Sequence, residues 1–399
     1  VRSRSAAAPR REGGAGSGIR ILADDLTGAL DTAAAFAGEV PVYIDRPPAG
    51  VEAAVPPVAV VATPTRDVAA AALPGFLAPA VEWFRSGSLS FKKVDSLLRG
   101  NTFAEIAWLF RNAGFARAVF APAFPAQGRI TVGGRQWIIR SGLGREAVAV
   151  PLQKALSRLG LRSAQAFEAF GAFGAFRNGV HIWIPEVAED HDLDQVVRQA
   201  DTGGDGMMWV GSAGLGNALA RRFGLAPDAV PSAPLAAGAG PSVLVSASFQ
   251  PVFREQWARL RANRPAPAVA EAGDAAGIAA AIAQARAGAG EAWFDLSPRA
   301  SIRPEEALRR LEANARRLVE ELPVPGRLIV VGGDTLLGLC RAAGAAGLSA
   351  RASLRPGWGC ARLMGGAWDG VPCYSRSGAF GAADDLVALV GALEQPTSC

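Results

Sequence analysis

Ile19-Arg-Ile-Leu-Ala23 leads directly into Asp24-Asp25-Leu26-Thr27-Gly28, and these ten residues set the fold. The first five form a short, mostly apolar run that reads as a strand. The next five are a charged turn, after which Ala29–Ala37 reads as a helix. The same pattern recurs downstream. Val58–Ala62 stops at Thr63-Pro64-Thr65-Arg66, and Leu89–Val94 ends at Asp95-Ser96 before a helix over Thr102–Phe110. Ala116–Ala121 enters the Pro- and Gly-rich run Pro122–Gly134, and Met207–Val210 passes through Gly211-Ser212-Ala213-Gly214 into a helix ending at Arg222. Strands alternating with helices imply parallel βαβ units. Such sheets bind ligands beyond the carboxyl ends of their strands. Asp24, Arg66, Asp95, Arg129 and Ser212 all fall at those ends, which predicts one shared site.

Ala226–Pro241 is rich in Pro, Ala and Gly and reads as a linker. A second alternating set follows it, with strands Val243–Ser246, Ala292–Leu296 and Leu328–Val331. Its helices are expected near Glu255–Arg261 and over Pro304–Glu321 and Thr335–Ala343. Gly357–Gly381 is short-looped and Gly-rich, and Asp384–Leu393 reads as a closing helix. The expected fold is α/β: two α/β domains with largely parallel sheets and an interdomain cleft. Residues 1–17 are expected to be a disordered tail, 18–230 the first domain and 241–399 the second. In Ala166–Phe176, Phe167, Phe170, Phe173 and Phe176 recur every three residues, which reads as a buried helical stripe.

The chain has 399 residues, of which half are hydrophobic and 19% charged, a globular composition. Its net charge is +5, but Arg2, Arg4, Arg10 and Arg11 against Glu12 contribute +3 of that from the tail. The remaining excess is too small to indicate nucleic acid as a partner. Two histidines exclude a site built from three, and the four cysteines lie in the last sixty residues without C-x-x-C spacing. They read as reduced thiols, and no metal site of protein ligands is expected. No apolar run suits a membrane span or a secretory leader, so neither membrane nor export is expected and the location reads as cytoplasmic.

Of 41 basic residues only three are lysines, yet Lys92 and Lys93 are adjacent. Neighbouring residues of a strand face opposite sides. One of the two can therefore enter the site, and Lys93, nearer the strand end, is the one expected there. No lysine follows a glycine, so the G-x-x-x-x-G-K-[ST] phosphate loop is absent. Gly211-Ser-Ala-Gly-Leu-Gly216 is not the dinucleotide fingerprint, and neither histidine has the context of a Ser–His–Asp triad. Acidic and basic groups around Gly-rich turns remain. They suit phosphoryl transfer, in which a protein mainly positions phosphates and neutralises charge. Asp24-Asp25 also fits a helix N-cap, but two acids at one strand end exceed what a cap needs.

Several motifs together resemble the four-carbon acid sugar kinases, a family also labelled Hrp-dependent type III effectors. They are Leu22-Ala-Asp-Asp-Leu-Thr-Gly-Ala-Leu-Asp31, Lys92-Lys-Val-Asp-Ser-Leu-Leu-Arg-Gly-Asn101 and Ala121-Pro-Ala-Phe-Pro-Ala-Gln-Gly-Arg-Ile-Thr-Val-Gly-Gly134. Gly211-Ser-Ala-Gly214, Val331-Gly-Gly-Asp-Thr335 and Ser375-Arg-Ser-Gly-Ala-Phe-Gly381 follow in the family's order. The resemblance implies an ATP-dependent kinase of the terminal hydroxyl of a four-carbon sugar acid such as erythronate or threonate. The acid would lie on the N-terminal domain and the nucleotide on the C-terminal one. On that reading Asp24, Asp25 and Lys93 are the catalytic candidates, and Thr27, Arg66, Asp95, Arg99, Gly128 and Arg129 bind the acid. Asp24, Asp25 or Asp95 would take the hydroxyl proton. Ser248, Asp334, Gly357, Trp358, Gly359, Cys360, Gly378 and Ala379 would hold ATP, with Asp334 acting on Mg²⁺ through water. The expected partners are therefore the sugar acid and ATP, with a homodimer as a further expectation.

The chain also departs from the family pattern. Leu97 stands where the family has Thr, and Ala247, Gln250 and Phe253 replace Gly, Ser and Thr. Gly359, Cys360 and Ala361 replace Pro, Trp and Gly; Arg376 replaces Lys, and Ala379 replaces Gly. The substrate half is better kept than the nucleotide half. A non-catalytic sugar-acid-binding paralogue is therefore the alternative, and a secreted effector, supported by the Arg-rich tail alone, is a third reading.

Overall fold

Ile19–Ala23 lies between Val58–Ala62 and Leu89–Lys93, parallel to both. Ala23 pairs with Ala62 and with Lys93, and Lys93 in turn pairs with Gly211. The carboxyl ends of these strands therefore align, and the turns that follow share one edge. Each of Ile19–Ala23, Val58–Ala62, Leu89–Lys93 and Arg117–Ala121 is buried along its whole length. Burial on both faces explains why they read as continuous apolar runs rather than alternating ones. This computed structural model describes residues 18–48, 56–140, 144–148, 150–167, 182–200, 206–227, 233–264, 269–271, 274–298, 300, 302–355 and 357–394.

The second half builds its own parallel array from Glu291–Asp295, Ser242–Ser246, Arg327–Val331 and Pro372–Arg376. The two arrays are not separate sheets. Gly359–Met364 pairs antiparallel with Pro372–Arg376, Gly347–Arg351 with Gly359–Met364, and Val40–Ile44 with Gly347–Arg351. Val40–Ile44 then joins Val58–Ala62 in parallel, which completes one fifteen-stranded sheet. An apolar core runs along one face of this sheet through both halves, from Ile21, Leu30 and Phe91 to Val330, Leu339 and Leu363. The α/β class with largely parallel strands is as expected. The antiparallel seam joining the halves is not, because Pro41 and the glycines of the last segment disguise its strands.

The helix after the first strand spans Leu26–Ala33, three residues earlier than Ala29. Asp25 starts it in extended conformation and accepts a hydrogen bond from the Gly28 N–H at 3.2 Å, as an N-cap does. Leu26, Ala29, Leu30 and Ala33 recur at helical spacing and face the core. Thr27, Gly28 and Asp31 are left for the other side. A small antiparallel sheet, Arg129–Val132, Arg135–Arg140 and Gly144–Ala147, starts inside the Pro- and Gly-rich run Pro122–Gly134 and extends beyond it. Phe167 packs edge-on against Trp183 at 4.7 Å, while Phe170, Phe173 and Phe176 lie outside the described residues. Among the described residues, no helix is long and apolar enough to cross a membrane.

Candidate active site

The carboxyl edge of the first half opens into a cleft that the second half also lines. Asp25, Thr27, Gly28 and Asp31 wall it from the first helix and its cap, and Lys93, Asp95, Ser96 and Arg99 from the strand Leu89–Lys93 and the loop after it. Arg66, Phe124, Gln127, Ser212 and Ala213 complete this half. The second half contributes Gly357, Gly359, Ser377 and Phe380.

Asp24 and Asp25 have separate placements. Asp24 is buried, and Arg66 grips it with two hydrogen bonds, Nε–Oδ2 at 3.1 Å and Nη2–Oδ1 at 3.0 Å. Burial alone would raise the Asp24 carboxyl, but the charges of Arg66, Lys92 and Lys93 outweigh it and hold the group below its ordinary range. Asp25 faces the cleft, and its Oδ1 receives Arg66 Nη2 at 2.5 Å. One guanidinium thus ties both acids to the loop after Val58–Ala62.

The adjacent lysines also part. Lys92 points to the back of the sheet, where its Nζ meets Glu105 Oε2 at 2.7 Å and neither side chain is exposed. Lys93 points to the cleft side and is itself only 4% exposed. Among the described residues no carboxylate forms a salt bridge with it. Gly28 makes its room, since a Cβ there would stand 2.7 Å from Lys93 Nζ.

The Asp95–Arg99 loop is a self-braced turn. Arg99 Nε and Nη2 donate to Asp95 at 2.6 and 3.0 Å, and its backbone N–H donates to Asp95 Oδ2 at 3.2 Å. Burial opposes ionisation of Asp95, yet Arg99, Arg66 and Lys93 lower its pKa to about 2. Leu98 holds φ +56°, an uncommon conformation for a branched residue. Gly100, at φ +68°, lies so close to the Arg66 carbonyl that a Cβ would collide with it. Asn101 Nδ2 donates to the Thr65 and Val68 carbonyls at 2.8 and 2.7 Å, pinning the Arg66 loop to this one. Buried Gln136 of the small sheet donates to the Ser96 carbonyl at 2.9 Å and holds the turn from the far side.

Gly128 and Arg129 stand beside the cleft rather than in its lining. Gly128 turns the chain at φ +70°, and the Arg129 guanidinium lies over the Phe380 ring, 5.2 Å from its centroid. That contact spans the two halves. So does Thr27, whose buried Oγ1 has no hydrogen-bond partner among the described residues and would be 2.8 Å from a Cβ on Gly333.

The C-terminal candidates divide as well. Gly357 and Gly359 line the cleft. Trp358 and Cys360 turn into the core; Trp358 lies against the Arg376 guanidinium at 4.4 Å, and burial pushes the Cys360 thiol up to about 11. Gly357 turns the chain at φ +76° ahead of the strand Gly359–Met364. Gly378 packs on Ser248 so closely that a Cβ would collide with Ser248 Oγ. Ala379 is exposed, so its methyl does not crowd that turn. Asp334 is exposed in the first turn of Gly333–Ala342. Asp31, Ser96, Gln127, Ser377 and Phe380 also line the cleft, although the sequence reading did not select them. Asp31 is four residues after Thr27 on the same helix face, a signal that needs the helix start to be known.

Two family models match the chain: a sugar-binding N-terminal domain over residues 19–155 and a nucleotide-binding C-terminal domain over 243–386. A D-threonate kinase of Bordetella bronchiseptica is 30% identical, covering 94% of this chain and 98% of its own. A D-threonate kinase of Cupriavidus necator is also 30% identical, over 91% of this chain and 94% of its own. A solved structure from Haemophilus influenzae shares the fold at a TM-score of 0.69 and 16% identity, covering 94% of this chain and 100% of that one. A sugar-binding half and a nucleotide-binding half meeting at a charged cleft define a small-molecule kinase. The chain belongs to the four-carbon acid sugar kinase family, and its class of activity is that of a sugar-acid kinase.

Proposed function

We propose that this protein transfers the γ-phosphoryl group of ATP to the terminal hydroxyl of a four-carbon sugar acid of the threonate or erythronate type. The observation that carries this reading is Lys93, a nearly buried cation without a salt bridge among the described residues, set on the wall of the cleft. A buried charge is costly until it is paired. An anion entering the cleft would complete it, and both a sugar carboxylate and a γ-phosphate are suitable. Arg66 and Arg99, though held by Asp24, Asp25 and Asp95, add positive charge to the same wall. Asp25 and Thr27 offer acceptors and a hydroxyl to the substrate's own hydroxyls. Asp24, fully engaged by Arg66, aligns that arginine rather than touching substrate.

Residues 18–230 would then form the acid-binding domain and 241–399 the nucleotide-binding one. The phosphates would rest on the Gly357–Gly359 turn and the Ser248–Gly378 contact. Among the described residues no cluster of three metal-ligating side chains exists. Mg²⁺ would enter as an ion carried by the phosphates, with Asp334 as the acid of the second half that would hold it through water; bound there it would neutralise phosphate charge. The alternative, a sugar-acid-binding paralogue without turnover, draws support from Arg376. It stands where the family has Lys, and Asp385 and the Trp358 ring hold it in the core. A thermal-shift screen of four- and five-carbon sugar acids, each with and without Mg-ATP, tests the reading. A ligand at 100 times its dissociation constant stabilises by about 2.7 kcal/mol. Shifts with four-carbon acids and with Mg-ATP are expected; a shift with the acid and none with Mg-ATP would favour the paralogue.

A further inference from the structure

Four carboxylates stand at the substrate end of the cleft, and they differ in what holds them. Arg66 takes Asp24 at two points and Asp25 at one. Arg99 takes Asp95 at two points. Asp31 lines the same cleft, half-buried, and among the described residues it accepts no hydrogen bond and forms no salt bridge. A carboxylate already saturated by guanidinium groups is a poor proton acceptor, because taking a proton would break those bonds. Asp31 has no such bonds to lose. It also stands one helical turn from Thr27, on the face that Lys93 overlooks.

We infer that Asp31 is the general base that accepts the proton of the acceptor hydroxyl, an assignment that rests on the sugar-acid kinase reading of this cleft. The hydroxyl oxygen bonds to the γ-phosphorus of a nucleoside triphosphate as the bond from that phosphorus to the β,γ-bridging oxygen breaks. The hydroxyl proton passes to a free Asp31 oxygen, and the electron pair of the broken bond leaves with the nucleoside diphosphate. Lys93 beside Asp31 can hold the transferring group while Asp31 takes the proton.

The electrostatics agree with the geometry. Burial raises the proton affinity of Asp31; Lys93 opposes that and Asp25 adds to it. Of the neighbouring helices, Ala213–Arg222 directs Arg221 to Asp194, and Gly333–Ala342 directs Arg341 to Asp45 while exposing Asp334. A raised proton affinity in the fold means that the carboxylate form costs stability. Stability from this group is present below the unfolded pKa and is lost as pH rises through the folded one.

The test compares wild type, Asp31→Asn and Asp334→Asn with Mg-ATP and the best four-carbon acid. Asp31→Asn is expected to lose about 10²–10⁴-fold in kcat. Its KM for the acid should stay within a few-fold, its acidic limb in the kcat profile should vanish, and its Tm at pH 7 should equal or exceed wild type. Asp334→Asn should keep the limb. A kcat for Asp31→Asn within tenfold of an active wild type would overturn the assignment, as would lost activity accompanied by a clearly lowered Tm. Absence of transfer by wild type to any four-carbon acid would overturn the kinase reading itself, and this assignment with it.

Discussion

Lys92 and Lys93 are consecutive in one strand, yet Lys92 is sealed in an ion pair with Glu105 behind the sheet while Lys93 lines the cleft against Gly28 with no salt bridge among the described residues. Strand alternation alone produces this division. It gives one lysine a structural duty and the other a chemical one. Lys93→Met is expected to fold with near-normal Tm and to lose activity. Lys92→Met should leave the Glu105 carboxyl in the core without its ion-pair partner, at a cost of up to about 3–5 kcal/mol. Chemical denaturation and kcat/KM for both variants check the contrast; equal effects of the two on both measures would contradict it.

Gly28 is needed for space, not for backbone conformation. Alanine favours a helix by about 1 kcal/mol over glycine. A methyl at this position would nevertheless displace the ends of Lys93 and Asp25, so a gain in helix propensity is set against a disturbed cap. Gly28→Ala should therefore keep its Tm and raise the KM for the sugar acid at least tenfold. Thermal unfolding and steady-state kinetics on the same preparation decide it.

Asp24 and Asp25 should behave differently when each is changed to Asn. Asn is as good an N-cap as Asp. Asp25→Asn should therefore keep its fold and lose one charged hydrogen bond, about ten- to a hundred-fold in kcat/KM. Asp24→Asn loosens the two-point grip on Arg66 inside the protein and should lower the midpoint of denaturation. A stable Asp24→Asn variant with normal kcat would refute the aligning role.

Asp95 makes a pH prediction. Its folded pKa of about 2 lies below the unfolded value of about 3.9. A depressed folded value means that the group adds stability above the unfolded pKa and loses it as pH falls toward 2. Arg99 is partly exposed, so solvent screening makes the contribution modest. Urea denaturation between pH 5 and 2 should show a shallower decline for Asp95→Asn than for wild type.

Ala379 occupies the position of a family glycine, and from sequence alone its methyl would be expected to hinder ATP. It is exposed, and Gly378 makes the close approach to Ser248 instead. Ala379→Gly should therefore leave the Mg-ATP dissociation constant unchanged within about twofold by titration calorimetry. Tightening by an order of magnitude would show that the methyl crowds the nucleotide.

The parallel strands were legible because burial on both faces leaves an unbroken apolar word, as in Val58-Ala-Val-Val-Ala62. The seam was not. Val40-Pro-Val-Tyr-Ile44 carries a proline, and Gly359–Met364 mixes Gly, Cys and Arg; their pairing is set by distant partners rather than by local pattern. The site was legible where strand ends carry charge, at Asp25, Lys93, Asp95 and Arg66. Asp31 and Phe380 were missed for different reasons. The first needs the helix register that Asp25 fixes, and the second belongs to the cleft only because the other half folds over Arg129.

Phosphorus NMR of Mg-ATP with D-threonate and with each erythronate, in the presence of wild-type protein or Lys93→Met, tests the central claim most directly. A new phosphate-ester resonance growing as ADP appears, with wild type and one of these acids and strongly reduced with Lys93→Met, is the predicted result. ATP left intact by the wild-type protein with every four-carbon acid, or ester formed equally fast by Lys93→Met, would contradict it.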